Sequence, residues 1–452
     1  MVDKNHSNEG EEFLRKNQTI KNIKRPMNKF LQNFKNKDFF FLWLAQIISQ
    51  FGDRMNQMAL IGLIAHRMPG SAVGLAKLLS FTIIPVFLVG PIAGVYVDRW
   101  DRRVTLIICD VLRGLLVFTI PFVFMAQDSM IPIYLVVFLA FCLSRFYVPA
   151  KMSIVPDLVD KEDLLIVNSL LSVTGMIAFV FGCAFGGFLV ERIGARGGFI
   201  IDAVTFFVSA FLVLFIRPRV KLSLSRRRMI STSREMISIF KKSVIEEMKD
   251  GVAYLFRQKE IRFTISMLFI LFSAAGAIYV VIIVFIQQSF GSVTKDLGVL
   301  AVCLGVGLFL GAISYGRWGE KISAFRMIFI SLILGGIALI LFALTVEKTK
   351  NLFTALALAW LIGLIIGPIF IASNTIVHQV SDHQMRGKVF SGLEMVIHFA
   401  FLIAMLVSSY LSDYINRFWI LMAIGIIFAV VGLGGLSREE IKDRRVRPQT
   451  VL

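Results

Sequence analysis

The sequence predicts an all-α polytopic membrane protein with 12 transmembrane helices in two six-helix bundles. Three observations carry this prediction. Of 452 residues, 57% are apolar and 17% charged, with a mean hydropathy of +0.76, whereas a soluble domain carries about a quarter charged residues. Apolar runs of about 20 residues, each long enough to cross a hydrocarbon core of roughly 30 Å, recur along the chain. The longest polar stretch after the N-terminal tail, 217–262, divides those runs six and six. This composition excludes an ordinary soluble enzyme, a disordered tail protein and a secreted disulfide scaffold.

The runs fall at 39–66, 73–97, 104–126, 130–150, 163–190, 197–216, 263–288, 297–316, 327–345, 352–375, 389–411 and 418–436. Each is read as a helix, because lipid offers no partner for free backbone groups. The even alternation of a membrane β-barrel is absent. The expected organisation is a basic tail (1–38), a first bundle (39–216), a basic linker (217–262), a second bundle (263–436) and a tail (437–452). The first 38 residues lack the apolar stretch of a cleavable signal.

The net charge of +18 would point to nucleic acid in a soluble protein. Here its distribution decides otherwise. With the N-terminus inside, 37 Lys and Arg fall in inner loops and tails and seven in outer loops. Both termini are therefore expected in the cytoplasm, and the partners expected are anionic inner-leaflet lipid and no nucleic acid. Within the linker, Ile237, Phe240, Val244, Ile245, Met248, Val252 and Leu255 recur mostly at helical spacing, which predicts an amphipathic helix on the inner surface or against the bundle. Cys109, Cys142, Cys183 and Cys303 lie in apolar runs at unrelated spacings and read as core fillers.

The halves echo each other weakly. Gly94 to Arg103 sits between spans two and three, and Gly311 to Lys321 between spans eight and nine. Two repeats about one path are a transporter architecture.

The sharpest local pattern is Gly94-Val-Tyr-Val-Asp98-Arg99-Trp-Asp101-Arg102-Arg103 in a short inner turn. Gly94 permits close helix approach, Asp98 can accept from a helix N-terminus, and Arg102 and Arg103 anchor the turn at the headgroups. Such a clasp would gate by latching two helices in one conformation. The plainer reading is a charged turn.

Ionisable residues inside the hydrocarbon are functional candidates by default. Asp53-Arg54 lies near the middle of span one, where a carboxylate could take up a proton, pair with Arg145 or Arg113, or ligate a metal. Asp110 and Arg113, three apart on span three, share a face and can pair; Arg145 is expected to snorkel or join them. Glu394 and His398, four apart on span eleven, could relay protons or pair at a bundle interface. Asp202 reads as a capping or packing residue. The second-half residues expected to face a cavity, Phe272, Tyr279, Ile282 and Phe285, are apolar and favour a lipophilic or amphiphilic solute.

These features resemble the major facilitator superfamily, and the Gly94–Arg103 turn resembles its loop 2–3 signature. Asp101 stands where the broad pattern has Gly, a departure common in the bacterial exporter branch of macrolide-efflux and enterobactin-exporter-type proteins. The likeness continues in Asp110-Val-Leu-Arg113, Phe146-Tyr-Val-Pro149-Ala-Lys151-Met-Ser-Ile-Val-Pro156-Asp157, Asn168-Ser-Leu, Ile201-Asp202-Ala and Met385-Arg386-Gly387-Lys388-Val-Phe-Ser391, spanning 39–435. It implies two six-helix bundles, alternating access and export driven by proton entry; a small-molecule substrate, no cofactor, a monomer and the bacterial cytoplasmic membrane are expected with it. The branch's span-five glycine signature appears as Gly182-Cys183-Ala-Phe-Gly186-Gly187, without its proline; the glycines still permit close packing. Gly52-Asp53-Arg54-Met55 is also similar to the start of ferroportin-type iron exporters, but no second ligand cluster accompanies it.

An ATP-binding Walker loop, paired Asp-rich or His-rich metal motifs and a Gly-x-Ser-x-Gly elbow are all missing, so an enzyme is not expected. The alternatives are a lysophospholipid flippase of the same fold and a non-transporting scaffold or receptor.

Overall fold

The computed structural model describes residues 34–97, 100–126, 129–160, 162–217, 259–319, 322–380 and 386–446. Asp98, Arg99, Met385, most of the linker with its amphipathic pattern, and most of the N-terminal tail lie outside these. The described residues form helices α1 (Lys37–Arg67), α2 (Ala72–Leu88), α3 (Gly90–Val97), α4 (Arg102–Ala126), α5 (Ile131–Leu158), α6 (Leu164–Val213), α7 (Lys259–Phe290), α8 (Lys295–Trp318), α9 (Ala324–Thr349), α10 (Leu352–Val380), α11 (Arg386–Leu411) and α12 (Arg417–Val446), with no strand among them. Nine of these are long and apolar enough to cross a membrane.

Local chemistry sets several ends. Asn36 caps α1 by accepting from the Asp38 and Phe39 amides at 3.1 and 3.3 Å, and Ser71 caps α2 through the Gly74 amide at 2.9 Å. Four spans differ from expectation. Span two is interrupted at Val89, just before Gly90-Pro91, and forms α2 and α3. Spans five and six join as one 50-residue element whose direction changes at Gly194, at φ 73° and ψ 170°, a conformation that suits glycine. Span four continues past 150 to Leu158 through Pro149, because neighbouring helices in a bundle tolerate the proline.

Packing repeats between the halves. In the first, α1 packs on both halves of α6, α2 on α5, and α4 on both α5 and the trailing half of α6; in the second, α7 packs on α11 and α12, α8 on α10, and α9 on both α10 and α12. The same pairing recurs six spans later. The most extensive contacts between the bundles, α6 with α8 and α2 with α11, are again exchanged by the repeat. Large apolar side chains cover the outside, such as Phe211 at 58% and Val430 at 61% exposed. That is the surface of a protein solvated by lipid rather than water.

Candidate functional site

The two ends of α1 define two faces of the molecule, the Lys37 face and the Arg67 face. Between the bundles, from the middle of the helices toward the Lys37 face, lies a cavity of about 1160 Å³. Toward the Arg67 face the bundles meet. Thr294 Oγ1 of α8's N-cap donates to the Gly187 carbonyl of α6 at 2.8 Å, and Glu191 accepts from the Thr294 and Lys295 amides at 2.7 and 3.2 Å. Arg417 of the second bundle reaches the Gly70 carbonyl of the first at 2.6 Å. Deeper in, Gln57 Nε2 donates to the Tyr279 hydroxyl across the same boundary.

Asp53, Arg54, Arg113, Arg145 and His398 all line the cavity. Asp53 makes no ion pair or hydrogen bond among the described residues; it stands within electrostatic reach of Asp110, Arg113, Lys151 and Asp202. Arg54 donates to Gln57 Oε1 at 3.1 Å and sits 4.7 Å from the centre of the Phe179 ring. Asp202 is buried and accepts from Asn56 Nδ2 of α1 at 2.6 Å, so it ties α6 to α1.

Asp110 and Arg113 form a buried ion pair on α4. Asp110 also accepts from Ser209 of α6 at 2.7 Å, and the Arg113 guanidinium lies 4.3 Å from the centres of both the Tyr147 and Phe206 rings. This unit bolts α4, α5 and α6 together. Arg145 does not join it: its Nε is buried without a partner, because α5 turns it toward the cavity. Nor does either arginine pair with Asp53.

Glu394 and His398 are not joined through their side chains. His398 Nδ1 donates instead to the Glu394 carbonyl oxygen at 2.7 Å, and the exposed Glu394 side chain does not line the cavity. Of the apolar residues expected to face the cavity, Phe272 and Tyr279 do so. Phe285 is buried in the core and Ile282 packs against it, since α7 turns that face inward.

In the turn after α3, the helix that contains Gly94, Arg102 bridges Asp157 and donates to the Ser153 carbonyl at 2.9 Å, both on α5. Arg103 donates to the Val213 and Leu214 carbonyls at the end of α6. These contacts of the turn stay within the first bundle. The glycines of α6 divide their work: a Cβ at Gly182 would meet the Arg54 side chain at 2.8 Å and one at Gly186 the Met55 backbone at 3.2 Å, whereas one at Gly187 would strike the Thr294 carbonyl at 2.5 Å. The first two seat α1; the third seats α8.

Lys151 is the residue that sequence reasoning missed. With span four ended at 150 it counted as a loop cation, yet α5 carries it into the cavity wall beside Tyr147 and Val148. The signal available was the three- to four-residue spacing Ser144, Tyr147, Lys151. Among the described residues no group of three or more His, Cys, Asp or Glu could hold a metal ion.

A helical membrane protein with a solute-sized cavity between two repeat-related bundles has the architecture of a membrane transporter. The family described as Transmembrane secretion effector matches residues 29–382, and the chain belongs to that family of major facilitator transporters. It is 28% identical over 367 residues to an uncharacterized MFS-type transporter, YkuC, of Bacillus subtilis, covering 80% of this chain and 82% of that one. It is 23% identical to macrolide efflux protein A of Streptococcus pyogenes, covering 89% and 96%. Its fold is similar to that of a bacterial homologue of the iron transporter ferroportin in an inward-facing state, with a TM-score of 0.67, 16% identity, and coverage of 88% and 98%. The nucleoside transporter NupG matches with a TM-score of 0.68 and 13% identity, covering 88% and 97%.

Proposed function

We propose that the chain is a proton-coupled exporter of a small amphiphilic or lipophilic solute, working by alternating access in the bacterial cytoplasmic membrane. The observation that carries this reading is the unpaired Asp53 carboxylate on the wall of an inter-bundle cavity closed toward the Arg67 face. With both termini cytoplasmic, the closed face is external and the cavity lies on the inner side. Solute enters from the cytoplasm or inner leaflet, the bundles rock about the cavity, and Asp53 exchanges a proton as access changes sides. A carboxylate with no fixed cation partner is free to trade protonation for solute, which is what antiport requires. The efflux relative supports the direction.

The test uses inside-out vesicles with an acidic lumen and a pH-sensitive dye, challenged in turn with drugs, siderophores, lysolipids and metals. One class is expected to dissipate the gradient, and Asp53→Asn to abolish that response. Full coupling in Asp53→Asn, or no response to any class while the gradient holds, would overturn the reading.

A further inference from the structure

The cavity wall is chemically lopsided. The first bundle supplies its charges: Asp53 is the acidic lining residue, against Arg54, Arg145 and Lys151. Arg113 also borders the cavity, but Asp110 already neutralises it. Neither Arg145 nor Lys151 has a hydrogen bond or ion pair among the described residues, and Arg145 Nε is buried with no acceptor. The opposite charges nearest them are Glu394 for Arg145 and Asp53 for Lys151, neither in ion-pair contact, and Arg113 adds a like charge near Lys151. Arg145 and Lys151 are half-buried on this wall with no counter-charge in contact, and an anion entering the cavity would supply one.

The facing wall, from the second bundle, is mostly apolar: Phe272, Val306, Phe309, Leu310 and Phe401, with Tyr279 and His398 as its polar side chains. The seam between α6 and α8 is apolar as well. Met176, Ile177 and Phe181 of α6 and Phe309 and Leu310 of α8 both line the cavity and are 41–54% exposed. An apolar body therefore finds apolar side chains of both bundles to lie against.

We infer that the cavity selects an anionic amphiphile, a phosphate or carboxylate head on an apolar body, with Arg145 and Lys151 as its specificity-determining residues. The head sits against α5 of the first bundle and the body against α7, α8 and α11 of the second. A cationic amphiphile of the same length meets like charge on this wall and is disfavoured. This inference rests on the transport reading of the cavity and names the substrate class for it.

The experiment is equilibrium binding to the full chain in nanodiscs of zwitterionic lipid, with radiolabelled dodecyl phosphate, dodecanol and dodecyltrimethylammonium. Dodecyl phosphate should bind at least about tenfold more tightly than the ammonium analogue, as one charge-assisted contact allows. Arg145→Gln and Lys151→Gln should each remove most of that preference while leaving dodecanol binding unchanged, and Lys151→Arg should keep it. Equal or tighter binding of the ammonium analogue, or a preference unchanged in both Gln variants, overturns the anion inference and leaves the transport cavity standing. Failure of all three probes to bind overturns both. Competition by lysophosphatidylglycerol identifies a lipid headgroup as the source of the anion; competition by soluble alkyl phosphates alone identifies a free solute.

Discussion

Glu191, at the turn between the two spans of α6, caps the α8 helix from across the bundle boundary by accepting the backbone amide of Thr294 at 2.7 Å. Lys295 donates to the same oxygen at 3.2 Å, and Val293 to the other carboxylate oxygen at 3.3 Å. A carboxylate at a helix N-terminus satisfies orphan donors and complements the helix dipole. Here the helix belongs to the other bundle, so the cap exists only while the Arg67 face is closed.

Glu191→Gln is therefore expected to loosen that face. In a background lacking the four native cysteines, a cysteine at Ser49 on the cavity wall should react about two- to fivefold faster with a membrane-impermeant thiol reagent added from outside, the range expected for losing a charge at a helix terminus. Unchanged labelling would show that the cap does not hold the closure.

The same cap sets a pH dependence. Partial burial raises the Glu191 pKa, but the amide donors of Thr294, Lys295 and Val293 outweigh it and hold the carboxyl below its ordinary 4.5. A lowered carboxylate contributes stability above its ordinary value and loses it as pH falls through the lowered one. The distance between spin labels at Arg192 and Ile415 should stay constant near neutral pH and lengthen only below pH 4.5, and Glu191→Gln should remove that change.

Closure of the Arg67 face also needs two glycines. A Cβ at Gly298 would lie 2.5 Å from the Cys183 carbonyl and one at Gly187 2.5 Å from the Thr294 carbonyl. Backbone atoms cannot turn aside as a side chain can. Gly298→Val should push α6 and α8 apart, and pulsed EPR between labels at Arg192 and Ile415 should report a longer distance. Gly194→Ala, where a Cβ meets no neighbour, should leave that distance unchanged while straining the local turn.

The Asp110–Arg113 pair is structural. Asp110→Ala leaves the Arg113 guanidinium buried without its counter-charge, at a cost of about 3–5 kcal/mol. The melting temperature in detergent should fall clearly. The double variant Asp110→Leu, Arg113→Met removes both charges and should recover part of the loss. A double variant no more stable than the single would mean that the Tyr147 and Phe206 ring contacts, not charge balance, dominate.

The cavity wall shows how far the sequence could be read. Asp53, Arg54 and Arg113 stand out because charge is rare in apolar runs, and rarity needs no structure to notice. Lys151 does not stand out, because Pro149 reads as a helix end when tolerance by neighbouring helices is invisible. Glu394 and His398 share a face at a four-residue spacing, yet the imidazole finds the backbone carbonyl one turn back. Spacing fixes a face; it does not choose between a side-chain and a main-chain acceptor.

The sequence by itself determined that this chain is helical, embedded in lipid and built from two related halves, because hydropathy, cation placement and linker position are properties of the chain read in order. The tertiary structure decided which charges are spent on each other and which remain in the cavity. In water, a helix shows its buried side by contrast with its polar one. In lipid, the outer face is as apolar as the packed one, so that contrast is lost, and only the packing of α5 against its neighbours shows that Arg145 and Lys151 share the cavity with Asp53.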